Sequence, residues 1–192
     1  MVSSLQCSGV WNETEAWPLM FRSANTTGHL PILEERPNWL PVDLAGKAIS
    51  EIVTSYSHPS RAEPSATVYH VLNAAPSPWS AVLEGLQQGG IKFQAVERRK
   101  WLKELAASDS DVQRNPTYKL LVRQRIADIC GNKLINQGFY QGRIGKESER
   151  AYMDFEIEQT AKVSPTIGEC KPIDAELVAL WAKNWKQTGF LQ

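Results

Sequence analysis

The chain has 192 residues, of which 42% are hydrophobic and 22% are charged, a balance typical of a single globular domain spanning residues 1–192. Its 21 basic and 21 acidic side chains give a formal net charge of zero, which argues against nucleic acids and anionic membranes as partners. No apolar run is long enough to cross a bilayer and no secretory leader is recognisable, so we expect a cytoplasmic protein. The 3 cysteines are widely spaced and indicate reduced thiols rather than disulfides or a zinc site.

The first third of the chain is expected to contain one clear helix and one clear strand. Residues up to Arg36 are predicted to be irregular, because tryptophans and turn-forming residues interrupt any periodic pattern. Asp43 precedes apolar residues at helical spacing, and its carboxylate is suited to cap that helix. The segment Thr67–Asn73 is β-branched, aromatic and almost continuously apolar, which favours a central strand buried on both faces of a parallel sheet.

A second helix and a second strand are predicted in the middle of the chain. Ser77 and Pro78 form a helix-starting pair, and Gly89 with Gly90 marks the end of that helix. Phe93–Val96 has the composition of another short strand. The order helix, strand, helix, strand is the rhythm of an α/β protein.

The remainder of the chain is predicted to be mainly helical. Apolar spacing indicates a helix around Trp101–Ala106, and a second one is expected over Asn115–Ile129. Further helices are predicted over Ser148–Ala161 and after Asp174, which has the properties of an N-cap, with Gly189 beyond the end of the last helix. The expected fold class is therefore a helix-rich α/β arrangement with a few parallel strands.

Two motifs of nucleotide-dependent reductases are absent from the sequence. A Rossmann-type site needs a glycine-rich turn between a strand and a helix, and Gly138, Gly142 and Gly145 have the wrong spacing for it. No tyrosine is followed four residues later by a lysine, the pair that short-chain dehydrogenases use to hold the nicotinamide ribose. We therefore expect that the isolated chain uses no cofactor and does not bind NADPH.

Several segments, taken in order and spacing, resemble one enzyme family. They are Gly9–Glu13 with Trp17 and Pro18, Gly28–Pro31, Asn38–Asp43, Val68–Asn73 with Pro78 and Trp79, Asn115–Leu121, and Pro172–Asp174 with Trp185 and Gly189. They resemble the carboxy-terminal, substrate-side part of thioester (carboxylic acid) reductase domains of the male-sterility NAD-binding type, found at the end of fungal adenylate-forming reductases. The resemblance implies the carboxy-terminal part of a Rossmann-type extended short-chain dehydrogenase/reductase fold, without the amino-terminal nucleotide-binding half.

The resemblance also implies a function in secondary metabolism. Members of the family use NADPH to reduce an acyl thioester, and this part of their fold contributes the acyl-substrate pocket. The implied ligand is an acyl, polyketide or peptide-type small molecule, and the implied partners are a carrier protein or a cofactor-binding chain. The basic run Arg98–Lys100 is interpreted as a solvated helix start, with contact to an acidic carrier protein as the alternative.

Five residues are candidates for substrate binding. By the resemblance, Trp11, Asn12, Trp17 and Pro18 follow the catalytic helix of the family, and aromatic walls with one amide suit an acyl chain. Asn73 is included because it ends a predicted strand, and α/β ligand crevices lie at such ends. The alternative for both tryptophans is a place in the core. No residue is assigned a catalytic role.

Three functions remain open from the sequence. The chain is interpreted first as a truncated thioester reductase that contributes an acyl pocket and needs a cofactor-binding partner. The second interpretation is a cofactor-free protein that reuses the pocket to promote cyclisation, isomerisation or hydrolysis of an intermediate. The third is a non-catalytic module that docks a carrier protein.

Overall fold

A computed structural model describes residues 9–56, 68–120 and 155–192 of the chain. Its elements are α1 (Ala16–Thr27), β1 (His29–Ile32), α2 (Val42–Tyr56), α3 (Trp79–Gln88), β2 (Gln94–Glu97), α4 (Arg98–Ala107), a 3₁₀ turn (Pro116–Tyr118), α5 (Glu158–Val163), α6 (Pro165–Gly168) and α7 (Ala175–Gln187). This helix-rich α/β arrangement confirms the predicted fold class. Within the described ranges, no helix is both long and apolar enough to cross a membrane.

The sheet is a parallel pair formed by β1 and β2, with His29 opposite Gln94 and Ile32 opposite Glu97. The chain between the two strands carries α2 and α3, because parallel strands need a crossover rather than a hairpin. Strand β2 overlaps the predicted segment Phe93–Val96 and is shifted by one residue toward the carboxyl terminus. Since both strands run in the same direction, their carboxyl ends meet at one edge of the sheet.

The segment before Arg36 is not irregular, and that prediction was wrong. Helix α1 runs for 12 residues and ends at Gly28, whose positive φ of 72° allows its N–H to bond the Ala24 carbonyl at 2.9 Å. Pro18 lies in the first helical turn, where its missing N–H costs little. One face of the helix is buried through Leu19, Met20, Phe21 and Ala24. Burial of this face, rather than intrinsic propensity, accounts for the helix.

The predicted central strand Thr67–Asn73 is also wrong over its described part, Val68–Asn73. These residues form no strand, and Val68 is 70% exposed. The Asn73 N–H donates to the Asn38 carbonyl at 3.3 Å, so the segment lies beside the loop that precedes α2. A short apolar run does not by itself distinguish a buried strand from a coil held by side-chain hydrogen bonds.

Several helix boundaries differ from the predictions. Helix α2 begins at Val42, so Asp43 lies in its first turn and is not the N-cap. In the first turn its negative charge still interacts favourably with the helix dipole. Of the helix predicted over Ser148–Ala161, residues 155–157 are not helical and α5 begins at Glu158, whereas residues 148–154 lie outside the described residues. Of the helix predicted over Asn115–Ile129, the described part contains the short 3₁₀ turn Pro116–Tyr118. The part after residue 120 lies outside the described residues, as do Gly138, Gly142 and Gly145.

Helices α3 and α7 pack closely through two glycines. Gly85 and Gly89 of α3 lie so near Val178 and Ala182 of α7 that a β-carbon on either glycine would overlap them. Helix α7 starts as predicted, because the Asp174 carboxylate accepts the Leu177 N–H at 2.9 Å. The end of α3 at Gly89 is likewise confirmed.

The main core is an aromatic cluster enclosed by these elements. Its rings belong to Trp11, Phe21, Trp39, Trp79, Trp101, Trp181, Trp185 and Phe190. Trp101 is fully buried, and its indole N–H donates to the Ser23 hydroxyl at 2.8 Å. That hydroxyl donates in turn to the Met20 carbonyl at 2.6 Å, so the polar atoms inside this part of the core are paired.

A smaller cluster joins α2 to α6, and Glu51 of α2 fastens it. The Glu51 carboxylate accepts from the Ser164 hydroxyl at 2.6 Å, the Thr166 hydroxyl at 2.7 Å and the Thr166 N–H at 3.2 Å. The apolar part of the cluster consists of Leu40, Ala45, Ala48 and Ile167. Helix α6 is only four residues long, so this carboxylate helps to fix its start against α2.

Acidification is expected to weaken this connection. Burial raises the pKa of Glu51, but the hydrogen bonds from Ser164 and Thr166 outweigh it and lower the pKa below 4.5. A carboxylate whose pKa is lower in the folded state stabilises the protein at pH values above its unfolded-state pKa. This stabilisation is lost as the pH falls through its folded-state pKa. We expect Glu51→Gln to lower the urea midpoint at pH 7, and the difference from wild type to shrink as the pH falls below 4.5. Glu84→Gln, at an exposed position, is the control and should leave the urea midpoint unchanged. If the difference in midpoint between Glu51→Gln and wild type did not vary with pH, the stabilising role of the ionised Glu51 carboxylate would be contradicted.

Candidate functional site

A cleft of about 380 Å³ opens at the carboxyl end of β1. One wall is formed by residues 32–36, where the chain leaves the strand, and the other by residues 78–80 and Leu83 of the α3 start. We call it the strand-end cleft. Ligands of α/β sheets bind at this edge, because the loops that follow the strands diverge there and leave a crevice.

Two hydrogen bonds hold the walls of the cleft in place. The Trp79 indole N–H donates to the Pro31 carbonyl at 2.9 Å and ties the first turn of α3 to β1. The Ser77 N–H donates to the Pro37 carbonyl at 2.9 Å and ties the chain just before α3 to the chain after the cleft. Because the two bonds join β1 and the chain after the cleft to the start of α3 and the residues just before it, the width of the cleft is set by the fold.

Part of the cleft surface is apolar. Ile32, the last residue of β1, is 56% exposed, which is a large apolar area for a strand residue in contact with a cavity. Leu83 is half-buried on the α3 side, and Trp79 lies between them with only 4% of its surface exposed. An open apolar wall at a sheet edge suits a hydrocarbon ligand.

The rest of the cleft surface is charged. Glu34 and Arg36 are exposed, whereas Glu35 is half-buried. Burial raises the pKa of Glu35, although its own backbone N–H and Arg98 act in the opposite direction. Burial also lowers the pKa of Arg98, and Glu35 counteracts this. Arg98 begins α4 directly after β2, so the ends of both strands contribute to this charged region.

Three of the five predicted substrate residues, Trp11, Trp17 and Pro18, lie in or against the main aromatic core. Trp11 is 3% exposed and packs against Trp39 and Trp181, each at a centroid distance of 5.0 Å. Trp17 packs against Trp39 at 5.1 Å and against Trp79 at 5.4 Å, and Pro18 is buried in α1. Through Trp79, Trp17 supports the strand-end cleft from the core side, but none of the three lines it. Their assignment to a substrate pocket stays a prediction.

The two predicted asparagines lie apart from each other. Asn12 is exposed, and its side-chain carbonyl accepts from the Thr14 N–H at 3.0 Å in a local turn. Asn73 is buried, and its amide donates to the Trp39 carbonyl at 3.0 Å and the Lys171 carbonyl at 2.9 Å. Its carbonyl accepts the Ala75 N–H at 2.9 Å. These contacts make Asn73 a connector between three chain segments, and its role toward substrate also stays a prediction.

Sequence reasoning did not select the residues that line the cleft. Ile32 and Glu35 lie in the segment up to Arg36 that was predicted to be irregular, so no strand end was expected beside them. The signal was available in His29–Ile32, a short run after Gly28. Proline disfavours the interior of a central strand, but an edge strand tolerates it.

Comparison with known proteins identifies relatives that are much longer than this chain. No protein-family profile matches it. It is 28% identical over 99% of its length to the non-canonical non-ribosomal peptide synthetase ascB of Acremonium egyptiacum, and 24% identical over 98% to the adenylate-forming reductase Nps11 of Serpula lacrymans. It is 25% identical over 99% to 3-methylorcinaldehyde synthase of Sarocladium schorii. The chain spans 16%, 17% and 6% of the lengths of these relatives.

A solved structure has the same fold. The terminal R domain from the myxalamid PKS-NRPS biosynthetic pathway matches the whole chain with a TM-score of 0.67 and 19% identity. The match covers 43% of that domain. The sequence relatives and this structure together confirm the resemblance to the terminal reductase regions of peptide and polyketide synthetases.

Proposed function

We propose that this chain, a homologue of the terminal reductase regions of peptide synthetase-like and polyketide synthase enzymes, supplies the acyl-binding part of a thioester reductase. The acyl group occupies the strand-end cleft and is presented as a thioester on a carrier protein. The observation that carries the proposal is the position of this cleft, at the carboxyl end of a parallel strand and with an apolar wall. Trp17 supports that wall through its contact with Trp79, and Trp11 packs in the same aromatic core.

The proposal assigns NADPH to another polypeptide or another part of a longer chain. A pyrophosphate binds where a strand is followed by a glycine-rich turn that exposes backbone N–H groups. Here β1 is followed by Leu33, Glu34 and Glu35, and β2 ends in Glu97 and continues directly into α4. Carboxylates at these positions repel a pyrophosphate rather than bind it.

A titration with two ligands tests the proposal. We expect octanoyl-N-acetylcysteamine thioester to bind the purified chain saturably, detected by tryptophan fluorescence or calorimetry, and NADPH not to bind measurably. Ile32→Ala should weaken thioester binding about fivefold, because burial of apolar side-chain surface contributes roughly 25 cal/mol per Å² before other costs.

The matched control is Ile49→Ala. Ile49 is 50% exposed, close to the 56% of Ile32, but it lies on α2 and does not line the cleft. It should leave thioester binding unchanged. Failure of the wild-type chain to bind the thioester would overturn the proposal, and so would equal effects of the two substitutions.

A further inference from the structure

Glu35 is an incompletely satisfied acceptor in the strand-end cleft. Glu35 lines the cleft as a half-buried residue, and among the described residues no group other than its own backbone N–H donates to its carboxylate. Arg98 is near enough to act on it electrostatically but does not form an ion pair with it. A carboxylate has about four acceptor positions, so most of those of Glu35 are left for water or for a ligand.

The position of Glu35 determines which ligands can use the free acceptor positions of its carboxylate. Glu35 is half-buried beside the apolar surface of Ile32 and Leu83, and the accompanying loss of solvation is what raises its pKa. A plain hydrocarbon chain in the cleft would remove more water from the carboxylate and return no hydrogen bond. A chain that carries a donor would replace the water it displaces. Glu34 lacks this property because it is exposed and stays hydrated.

We propose that Glu35 makes the strand-end cleft selective for acyl chains that carry a hydrogen-bond donor, a hydroxyl or an ammonium group, over unsubstituted chains. The inference rests on the proposed function, because it takes the acyl group as the ligand of the cleft. Glu35 is a specificity-determining residue here and has no part in bond making or breaking. Arg98 favours the ionised form of the Glu35 carboxylate and does not contact the ligand.

Three thioesters of one chain length test the selectivity. The full chain is titrated with octanoyl-, ω-hydroxyoctanoyl- and ω-aminooctanoyl-N-acetylcysteamine. Hydrogen bonds to charged groups are strong enough to give a preference of about tenfold, so we expect at least one donor-bearing thioester to bind about tenfold more tightly than octanoyl. A preference for the hydroxyl alone identifies a neutral donor as the ligand group, and one for the amine alone identifies a cation.

Two substitutions assign the preference to Glu35. Glu35→Leu removes every side-chain acceptor and should reduce the preference to about onefold, with octanoyl binding retained. Glu35→Gln keeps one carbonyl acceptor but no charge, so it should abolish a preference for the amine and retain part of a preference for the hydroxyl. It also provides the result if the leucine variant does not fold, as judged by circular dichroism. The matched control is Glu84→Gln, an exposed glutamate of α3 that does not line the cleft, and it should leave the ratios unchanged.

The outcomes separate this inference from the proposed function. If the wild-type chain binds all three thioesters equally and Ile32→Ala still weakens them, selectivity by Glu35 is disproved and the acyl site stands. If the preference persists in Glu35→Leu, another residue is its source and the inference is again overturned. If no thioester binds, the acyl site itself is disproved.

Discussion

Gly85→Ala is expected to lower the free energy of unfolding by about 3 kcal/mol, although alanine is the better helix former. A β-carbon at Gly85 would lie 2.5 Å from the Val178 β-carbon and 2.6 Å from the Ala175 carbonyl oxygen. Backbone cannot yield as a flexible side chain can, so α3 and α7 would have to move apart. Both helices bury residues of the aromatic core, and separating them opens voids around Leu86 and Trp181. Chemical denaturation followed by tryptophan fluorescence measures the change.

Gly46→Ala is the matched control for this prediction. Gly46 also lies in a helix, but a β-carbon there would meet nothing within 4 Å. Its substitution should stabilise the protein by about 1 kcal/mol through helix propensity alone. Stabilisation by both substitutions would show that the two helices are not in close contact at Gly85.

Asn73→Ala is expected to cost about 3 kcal/mol of unfolding free energy and to leave thioester affinity unchanged in the folded protein. The substitution leaves the carbonyls of Trp39 and Lys171 and the N–H of Ala75 without their partner. Each orphaned buried group costs about 1–3 kcal/mol, and partial access of water reduces the sum. The unfolding midpoint and the affinity for octanoyl-N-acetylcysteamine are measured on the same sample.

The comparison for Asn73 is the other predicted asparagine. Asn12 is exposed, and within the described part of the chain its side chain bonds only to Thr14 in its own turn. Asn12→Ala should therefore change the unfolding free energy by less than about 1 kcal/mol. The opposite pattern, with stability kept and affinity lost in Asn73→Ala, would show that Asn73 contacts substrate, as its place at the end of a predicted strand suggested.

Local signals predicted the parts of the fold that are determined locally. Asp174 caps α7 because its own carboxylate reaches Leu177, and Gly89 ends α3, so both boundaries are written in a few adjacent residues. Helix α1 was missed because its tryptophan, proline and small polar residues obscure a helical pattern, and because it gains stability from burial against distant elements. The segment Val68–Asn73 was mistaken for a strand because its contacts are long-range hydrogen bonds to residues 38, 39 and 171.

The site was harder to predict than the fold for a related reason. The resemblance predicted a class of ligand and pointed to the tryptophan-rich segment as its pocket, but Trp11 in that segment is buried in the core. The cleft depends on the pairing of β1 with β2, a long-range contact between residues 29–32 and 94–97. No local sequence pattern predicts this pairing. Once that pairing is known, the strand-end rule leads directly to Ile32 and Glu35.

The contact between Trp11 and Trp185 also constrains how the protein can fold while it is being made. The Trp185 indole N–H bonds the Trp11 carbonyl across 174 residues of sequence, and both rings lie in the same aromatic cluster. At roughly 5–20 residues per second, the ribosome needs about 9–35 s to synthesise the intervening chain. During that interval Trp11 lacks Trp181 and Trp185, two of the rings that cover it, so the nascent chain exposes apolar surface that can aggregate. Chaperone demand is therefore expected to fall abruptly once α7 leaves the exit tunnel.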